Sequence, residues 1–387
     1  MKRLHLIFAL LAAFTTASHA DDWMKNLPDN IYISQLSIPG THDSATGNGV
    51  SFAAFSQCQD IPVSEQWAAG IRAFDLRPQV KSGYLNINHG IAPTDLRFDD
   101  ALYLLRDSLK AHPSEFVVVH YHYDTDFDED KSSYLPLLKA ILDRDDMKAC
   151  IIPFQRNLTL GDVRGKMLLL SRQVYADPPY TGGCINGWTS NLDWESQQGG
   201  WISGMDNSYN SFAPLYMQDY YNTDDSDAGL QKKVDAVVQL LEWTSTHSTT
   251  NSSAVVWAMN FTSAYPGKIC TANGYRKKAS RANAAVIDYY ASHSAGPAGV
   301  VFMDFCVDKS NGYSTRGQEL INTLIDNNYK CFGYATDIVA TNKANTDRRL
   351  VGIYSLQGRQ LTTPQRGQVN IMKFSDGTVE KVFVGAQ

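Results

Sequence analysis

The chain has 387 residues, with 34 Lys+Arg against 40 Asp+Glu, a formal net charge of −6 and 43% hydrophobic residues. That composition suits a folded protein with a sizeable core, and the acidic balance excludes a broad electrostatic footprint for nucleic acid. Contact with anionic lipid would have to come from local basic or aromatic loops.

Residues 1–20 read as a secretory signal peptide. Lys2 and Arg3 form a basic start, Leu4 to Phe14 an apolar stretch, and Ser18-His19-Ala20 a small-residue cleavage site before Asp21. The apolar run is too short for a transmembrane anchor, and no later stretch is long and apolar enough to span a bilayer. Export and a soluble mature protein are therefore expected. Losing residues 1–20 leaves 32 Lys+Arg against 40 Asp+Glu, a charge of −8. Six cysteines (Cys58, Cys150, Cys184, Cys270, Cys306, Cys331) in an oxidising compartment allow up to three disulfides, and none has the CxxC spacing of a zinc site.

Beyond residue 20, apolar β-type runs alternate with amphipathic stretches. The expected strands are Gln35–Ile38, Ile71–Leu76, Phe116–Tyr121, Lys166–Leu170, Leu215–Gln218, Ala254–Asn260, Gly299–Phe305 and Cys331–Tyr334. The expected helices are Asp99–Ala111, Leu135–Leu142, Gly229–Thr244, Ala279–Tyr290 and Gln318–Asn327. Leu102, Leu105 and Leu109 show the three-and-four spacing of a helix with one buried face. Val117 to Val119 and Val300 to Phe302 are continuous apolar runs, the mark of strands covered on both faces. About eight strands interleaved with helices predict a single closed β/α barrel over residues 21–345, with an open doubly wound sheet as the alternative. Pro178 to Phe212, rich in Gly, Asn and Ser, reads as a long irregular loop. Its Trp188, Trp194 and Trp201 belong either to a lid or to a satellite core. No glycine-rich nucleotide motif is present.

From about Thr346 the texture changes. Val351-Gly-Ile-Tyr-Ser-Leu-Gln-Gly358-Arg359, the run from Gly367 to Asp376-Gly377, and Lys381-Val-Phe-Val read as short strands with an Asp-Gly hairpin turn. Residues 346–387 resemble the C-terminal sorting modules of Bacteroidetes secreted proteins. A plain β appendage is the alternative.

Chemistry concentrates in two segments. Leu36-Ser-Ile-Pro-Gly-Thr-His42-Asp43-Ser-Ala and Asn88-His89-Gly90 each place a histidine where a short apolar strand gives way to a turn. Between them, Gly70-Ile-Arg-Ala-Phe-Asp75-Leu-Arg77-Pro puts Asp75 and Arg77 on one face of a strand. Two histidines that titrate near neutrality, a carboxylate beside one and an arginine suit acid/base work on a phosphodiester.

This order of fragments, over about residues 30–335, resembles bacterial phosphatidylinositol-specific phospholipase C. The resemblance implies a (β/α) TIM-type barrel and cleavage of phosphatidylinositol to diacylglycerol and a cyclic 1,2-phosphate. It implies His42 as general base on the inositol 2-hydroxyl, Asp304 (in Phe302-Met-Asp304-Phe) orienting that base, and His89 as general acid supported by Asp43. Arg77 stands where the family neutralises the phosphate and where calcium-dependent eukaryotic relatives carry a metal-binding carboxylate, so a metal-free mechanism with no cofactor is expected. Arg172, Asp219 and Tyr221 correspond to headgroup-binding residues. His122 falls where Bacillus-type enzymes have lysine, with Asp124 near their glutamate, a departure that bears on headgroup selectivity.

Two other readings compete. His120 and His122 form a His-x-His pair on one strand face, which would suit a metal-dependent barrel hydrolase. A non-catalytic lipid- or glycan-binding barrel is the other. The expected partners are phosphatidylinositol or a related inositol phospholipid and, transiently, a membrane surface, with no nucleic acid and no obligate protein partner. Membrane contact is expected through Val50, Phe52 and Phe55, and through a second patch of Tyr265 and Tyr275 with Lys268, Arg276, Lys277 and Lys278.

Overall fold

The computed structural model describes residues 21–123, 130–173, 182–188, 200–204, 209–247, 256–265, 271–309, 312–333, 350–363, 365, 368–374 and 379–384. The expected signal peptide, Asp124, Trp194, Lys268, Cys270 and the Asp376-Gly377 turn lie outside the described residues. The chain divides into two compact units, Met1–Tyr334 and Ala335–Gln387.

In the first unit the strands are β1 Ser37–Thr41, β2 Ala73–Leu76, β3 Pro78–Lys81, β4 Tyr84–His89, β5 Ala92–Arg97, β6 Val117–Tyr121, β7 Met167–Ser171, β8 Gly183–Asn186, β9 Gly200–Ser203, β10 Phe212–Gln218, β11 Trp257–Phe261 and β12 Gly299–Met303. The helices are α1 Ala53–Ser56, α2 Val63–Ala68, α3 Phe98–Ala111, α4 Tyr134–Leu142, α5 Asp145–Lys148, α6 Leu160–Val163, α7 Asp227–His247, α8 Ala272–Ser292 and α9 Gly317–Phe332. Nine strands close a barrel in the order β1-β12-β11-β10-β9-β8-β7-β6-β2. Neighbours are parallel except around β9, which runs antiparallel to both β8 and β10. The expected β/α barrel is thus found, with one reversed strand added, and the doubly wound sheet is not.

The strands were not all where the sequence pattern put them. Cys331 and Phe332, expected in a last strand, end α9, whose buried Leu320, Ile321, Leu324 and Ile325 carry a helical period through to Gly333. Gly333, at φ +71°, then stops the helix. The missing barrel positions are filled by β8 and β9, inside the segment expected to be an irregular loop. Each has only four residues, too short for alternation to stand out among Gly, Asn and Ser. At β1 the chain runs on through Pro39-Gly40-Thr41. A Cβ on Gly40 would come within 2.9 Å of the Ala73 Cβ and 3.0 Å of the Phe302 ring, so close strand packing requires glycine.

The connection from β2 to β6 holds an antiparallel sheet, β3-β4-β5, ahead of α3. His89 ends β4, so it comes from this inserted sheet and not from a barrel strand. At the N-terminal ends of the strands, Trp23 and Met24 are fully buried, and the Trp23 indole donates to the Gly70 carbonyl at 3.1 Å. Beside them the buried Arg72 bonds Glu115 at 3.0 Å and two nearby carbonyls. Closing one end in this way leaves the chemistry to the other.

Cys58, Cys150, Cys184, Cys306 and Cys331 are thiols, so no disulfide joins the described cysteines, contrary to the expectation from compartment. Cys58 packs with Tyr275 and Phe305 in a small cluster while Cys306 is buried in the main core, which stabilises the barrel without staples. In the second unit β13 Leu350–Ser355, β14 Gln360–Leu361, β15 Gln368–Phe374 and β16 Val379–Val384 form an antiparallel sheet in the order β14-β13-β15-β16, matching the short strands expected there. Among the described residues no helix is long and apolar enough to cross a membrane.

Candidate active site

The site is assembled at the C-terminal ends of the barrel strands, where loops from distant parts of a barrel chain converge. His42 and Asp43 follow β1, Arg77 follows β2, His122 β6, Arg172 β7, Asp219 and Tyr221 β10, and Asp304 β12. His89 enters from β4. Eight of these nine expected residues line one cleft of about 270 Å³, and the ninth, Asp304, is fully buried against His42. Ser263 and Ala264, which no motif in the sequence pointed to, also line it, as do Tyr265 and Tyr275, which were expected at a membrane surface.

The His42 ring is held from both sides. Its Nδ1 lies 2.8 Å from Asp304 Oδ1, and its Nε2 lies 2.8 Å from Arg77 Nη2 and 3.3 Å from Asp43 Oδ2. A guanidinium has no acceptor, so Nε2 must offer its lone pair to Arg77 while Nδ1–H donates to Asp304. Arg77 Nε meets Asp43 Oδ1 at 2.9 Å, and Asp43 Oδ2 lies 3.6 Å from His89 Nε2. On its other side His89 Nδ1 donates to the Ser56 carbonyl of α1 at 2.6 Å. That leaves Nε2 directed toward Asp43 and the cleft. The carbonyl of Ser56 carries no side-chain signal, so only the folded chain could disclose it.

Backbone strain marks the turns that present these groups. Asp43, at φ +43°, and Phe305, at φ +50°, are non-glycine residues in the left-handed region, one bearing the carboxylate between the two histidines and one beside Asp304. The Asp43 turn is held by its own N–H, which donates to Asp75 Oδ2 at 3.1 Å. Gln59 ties the two strand ends together, donating to the carbonyls of His42 (2.9 Å) and Met303 (2.8 Å).

Burial disfavours the His42 imidazolium, but the Asp43 and Asp304 carboxylates outweigh it and hold the histidine up at about 9. The Arg77 contact, which makes Nε2 an acceptor, opposes that protonation. The neutral ring is the form that satisfies both hydrogen bonds, and its neighbours make it a strong base. Burial pushes the Asp304 carboxyl up, with His42 opposing. For His122, burial and then the cations Arg172 and Arg77 press the pKa down to about 3, which favours the neutral ring.

These directions give a pH prediction. If His42 must be neutral to accept a proton, kcat/KM falls as pH drops through its pKa, which its carboxylates raise above the ordinary histidine value. Asp304→Asn removes one of those charges, so the acid limb of the kcat/KM profile should move to lower pH as the maximum falls. A limb that stays in place or moves up would separate Asp304 from the titrating group.

At the other end of the cleft, Asp219 is pushed up by burial and held down by the nearby Arg172 and Lys233. Its Oδ2 accepts from the Trp188 indole at 3.1 Å, and Arg172 lies 4.2 Å over the Trp188 ring. Tyr221 is half-buried, and its carbonyl accepts the Tyr265 N–H at 2.8 Å.

One nitrogen of the competing His-x-His pair is engaged by a buried carboxylate. His120 gives Nδ1 to Asp75 Oδ1 at 2.8 Å and stacks on Trp188, so it serves the buried Asp75 that also faces Arg77 Nη2 at 3.4 Å. The only metal-ligand cluster among the described residues is His42, Asp43 and Cys58, and it does not include the His120 and His122 pair. Arg77 lies within 3 Å of two of its three members, an unfavourable neighbour for a cation.

The expected membrane residues separate into two groups. Phe52 (64% exposed) and Phe55 (55%) stand out at the start of α1 with Val50 half-buried beside them. The second patch is a surface only in part: Tyr265 is 41% exposed and Lys277 half-buried, while its other described members turn inward. Tyr275, Arg276 and Lys278 are buried, Arg276 against Asp60 and over the Phe305 ring, Lys278 donating to Thr223 and the Asp224 carbonyl. Helix α8 turns these side chains inward to satisfy loop carboxylates and carbonyls.

No protein-family model matches the chain. The 1-phosphatidylinositol phosphodiesterase of Listeria monocytogenes is 33% identical over 162 residues, 40% of this chain and half of that protein's length. The protein of the same name from Staphylococcus aureus is 24% identical over 348 residues, spanning 84% of this chain and 97% of its own. The chain is homologous to bacterial phosphatidylinositol-specific phospholipase C. The resemblance read from the His42, Arg77 and His89 segments is borne out at that level. Solved structures agree on the fold: the Staphylococcus aureus phospholipase (a fluorinated variant) superposes with a TM-score of 0.63 at 22% identity over 79% of this chain and 98% of that one. The Listeria monocytogenes phospholipase gives 0.58 at 22% identity over 80% and 98%.

Proposed function

We propose that this protein is an exported phosphatidylinositol-specific phospholipase C that works by intramolecular phosphoryl transfer without a metal. The observation that carries the proposal is the placement of one guanidinium, Arg77, against both His42 Nε2 (2.8 Å) and the Asp43 carboxylate that faces His89. A phosphodiester bound to Arg77 therefore lies between a base and an acid.

His42 Nε2 takes the proton of the inositol 2-hydroxyl as that oxygen bonds to phosphorus. The bond from phosphorus to the glycerol oxygen breaks, and His89 Nε2–H protonates the departing diacylglycerol. The product keeps the phosphate as an inositol 1,2-cyclic ester. Because nucleophile and phosphorus belong to one molecule, attack benefits from proximity. Arg77 supplies the positive charge that a metal would otherwise bring, and its planar fork suits the equatorial oxygens as they gain charge. His122, Arg172, Asp219 and Tyr221 receive the inositol ring. Glycosyl-phosphatidylinositol anchors, with the same scissile bond, are a second substrate class. Export is assigned to residues 1–20 and surface sorting to the tail from residue 346.

The deciding experiment incubates purified protein with phosphatidylinositol vesicles, with and without a chelator, and measures diacylglycerol and cyclic inositol phosphate. Release in both arms supports the proposal. No release across lipids and pH overturns the activity, and release lost to the chelator overturns the metal-free mechanism.

Membrane contact belongs to the same proposal. Phe55 sits on the helix whose Ser56 carbonyl orients His89 and Phe52 immediately precedes it, so docking and the acid share one short segment. Burying two exposed phenyl rings in a bilayer interface is worth a few kcal/mol at most. Phe52→Ser with Phe55→Ser should weaken binding to phosphatidylinositol vesicles roughly tenfold to a hundredfold, measured by sedimentation. Unchanged partition would remove this patch from the docking surface.

A further inference from the structure

β1 and β12 pair in parallel up to Thr41 and Met303, and the His42 N–H then donates to the Met303 carbonyl at 2.9 Å. The ladder ends there. His42 continues one chain and Asp304 the other, and their Nδ1 to Oδ1 bond of 2.8 Å requires the two turns to keep a fixed separation.

A third segment supplies that constraint. Gln59, fully buried after α1, donates from Nε2 to the His42 carbonyl at 2.9 Å and to the Met303 carbonyl at 2.8 Å. Its Oε1 accepts the Cys306 N–H at 3.1 Å. The two carbonyls can only accept and the backbone N–H can only donate, so these partners fix which way the carboxamide faces. One amide thus joins the residue that bears the base, the residue before Asp304 and the second residue after it. It acts as one further peptide group at the end of the ladder.

Gln59 is itself held in place. Thr46 Oγ1 accepts the N–H groups of Cys58 and Gln59, each at 3.1 Å, and donates to the Asp43 carbonyl at 2.8 Å. The Cys58 carbonyl accepts the Phe305 N–H at 2.8 Å. Phe305 has the left-handed φ of +50°, a conformation that persists where its surroundings impose it. Three positions before Gln59, the Ser56 carbonyl meets His89 Nδ1. Residues 56–59 therefore hold the acid and the base from one short stretch of chain.

We propose that Gln59 is a positioning residue for catalysis, holding His42 and Asp304 at hydrogen-bond distance and in fixed relation to His89. Gln59 does not line the cleft and does not act on the phosphorus. Its contribution is to the geometry of the base, and it rests on the phospholipase reading given above.

The test uses Gln59→Met, which keeps the length of the side chain and removes its three hydrogen bonds. Wild type, Gln59→Met, Asp304→Asn and the double variant are compared for kcat and KM on phosphatidylinositol. The His42 Nδ1–H proton, a downfield NMR signal identified by its loss in His42→Ala, reports the bond to Asp304 directly. In Gln59→Met, kcat should fall roughly tenfold to a hundredfold, the cost of misplacing a reacting group by about 1 Å, with KM changed much less. The downfield signal should move upfield or broaden. The double variant should be little worse than Asp304→Asn alone, because Gln59 acts through that pair. Three results would overturn the proposal: wild-type kcat in Gln59→Met, an unchanged Nδ1–H signal, or losses in the double variant that multiply, as independent structural defects do. If Gln59→Met does not fold, Gln59→Asn, which draws the amide back by one methylene, is read by the same three measures. A wild type that releases no product would instead overturn the phospholipase reading, and the Nδ1–H signal would then still show whether Gln59 holds the pair.

Discussion

His42→Ala is expected to lower the rate of phosphatidylinositol cleavage by about 100- to 10,000-fold, the range over which a positioned general base contributes. The chain commits more to this side chain than to any other in the cleft. Asp304 at 2.8 Å fixes the tautomer, and Arg77 at 2.8 Å and Asp43 at 3.3 Å meet the reacting nitrogen. Removing the ring also leaves Asp304 buried with one partner fewer, so the folded state should be checked by thermal unfolding beside the product assay. His89→Ala should give a loss of the same order. Asp43 Oδ2 stands 3.3 Å from one histidine and 3.6 Å from the other, so base, acid and carboxylate form one unit. The double variant should therefore be little worse than either single one. A His42→Ala enzyme within tenfold of wild type would show that another group takes the 2-hydroxyl proton.

Arg77→Lys is expected to cost about 100- to 1,000-fold in kcat, although it conserves charge. Arg77 reaches Asp43 through Nε while one terminal nitrogen reaches His42 and Asp75. A single ammonium cannot span those partners and still present two donors to a phosphodiester. The loss should fall mainly on kcat, because the oxygens gain charge in the transition state and the fork is matched to that state. Measuring kcat and KM separately for Arg77→Lys checks this. A variant with raised KM and unchanged kcat would make Arg77 a ground-state binding group only.

Much of the site was legible because its residues lie in short apolar-strand-to-turn motifs. His42-Asp43, Asp75 with Arg77, and Asp304 each follow a run of buried residues that announces a strand, and a barrel strand presents whatever follows it at one face. His89 was legible for the same local reason, but the sheet to which its strand belongs was not. The β3-β4-β5 sheet is antiparallel and lies outside the barrel, a matter of pairing between segments that no single run reveals. β8 and β9 were missed in a stretch whose Gly, Asn and Ser residues imitate a loop, because their order comes from neighbours on both sides. Part of the expected second patch was lost for a related reason. Arg276 and Lys278 are basic in sequence, yet Asp60, Thr223 and the Asp224 carbonyl draw them inward.

The sequence by itself determined the barrel, the two histidines, the arginine between them and the homology to bacterial phosphatidylinositol-specific phospholipase C, since periodicity and short motifs are local and survive in one dimension. Tertiary structure alone decided that Trp188 lies against Asp219 and Arg172, that the Ser56 carbonyl meets His89, and that His120 bonds Asp75. Each of these is a contact between residues at least 16 positions apart, several of them through a backbone carbonyl or a ring face. Such partners are chosen by how the strands close, after the local pattern has been spent.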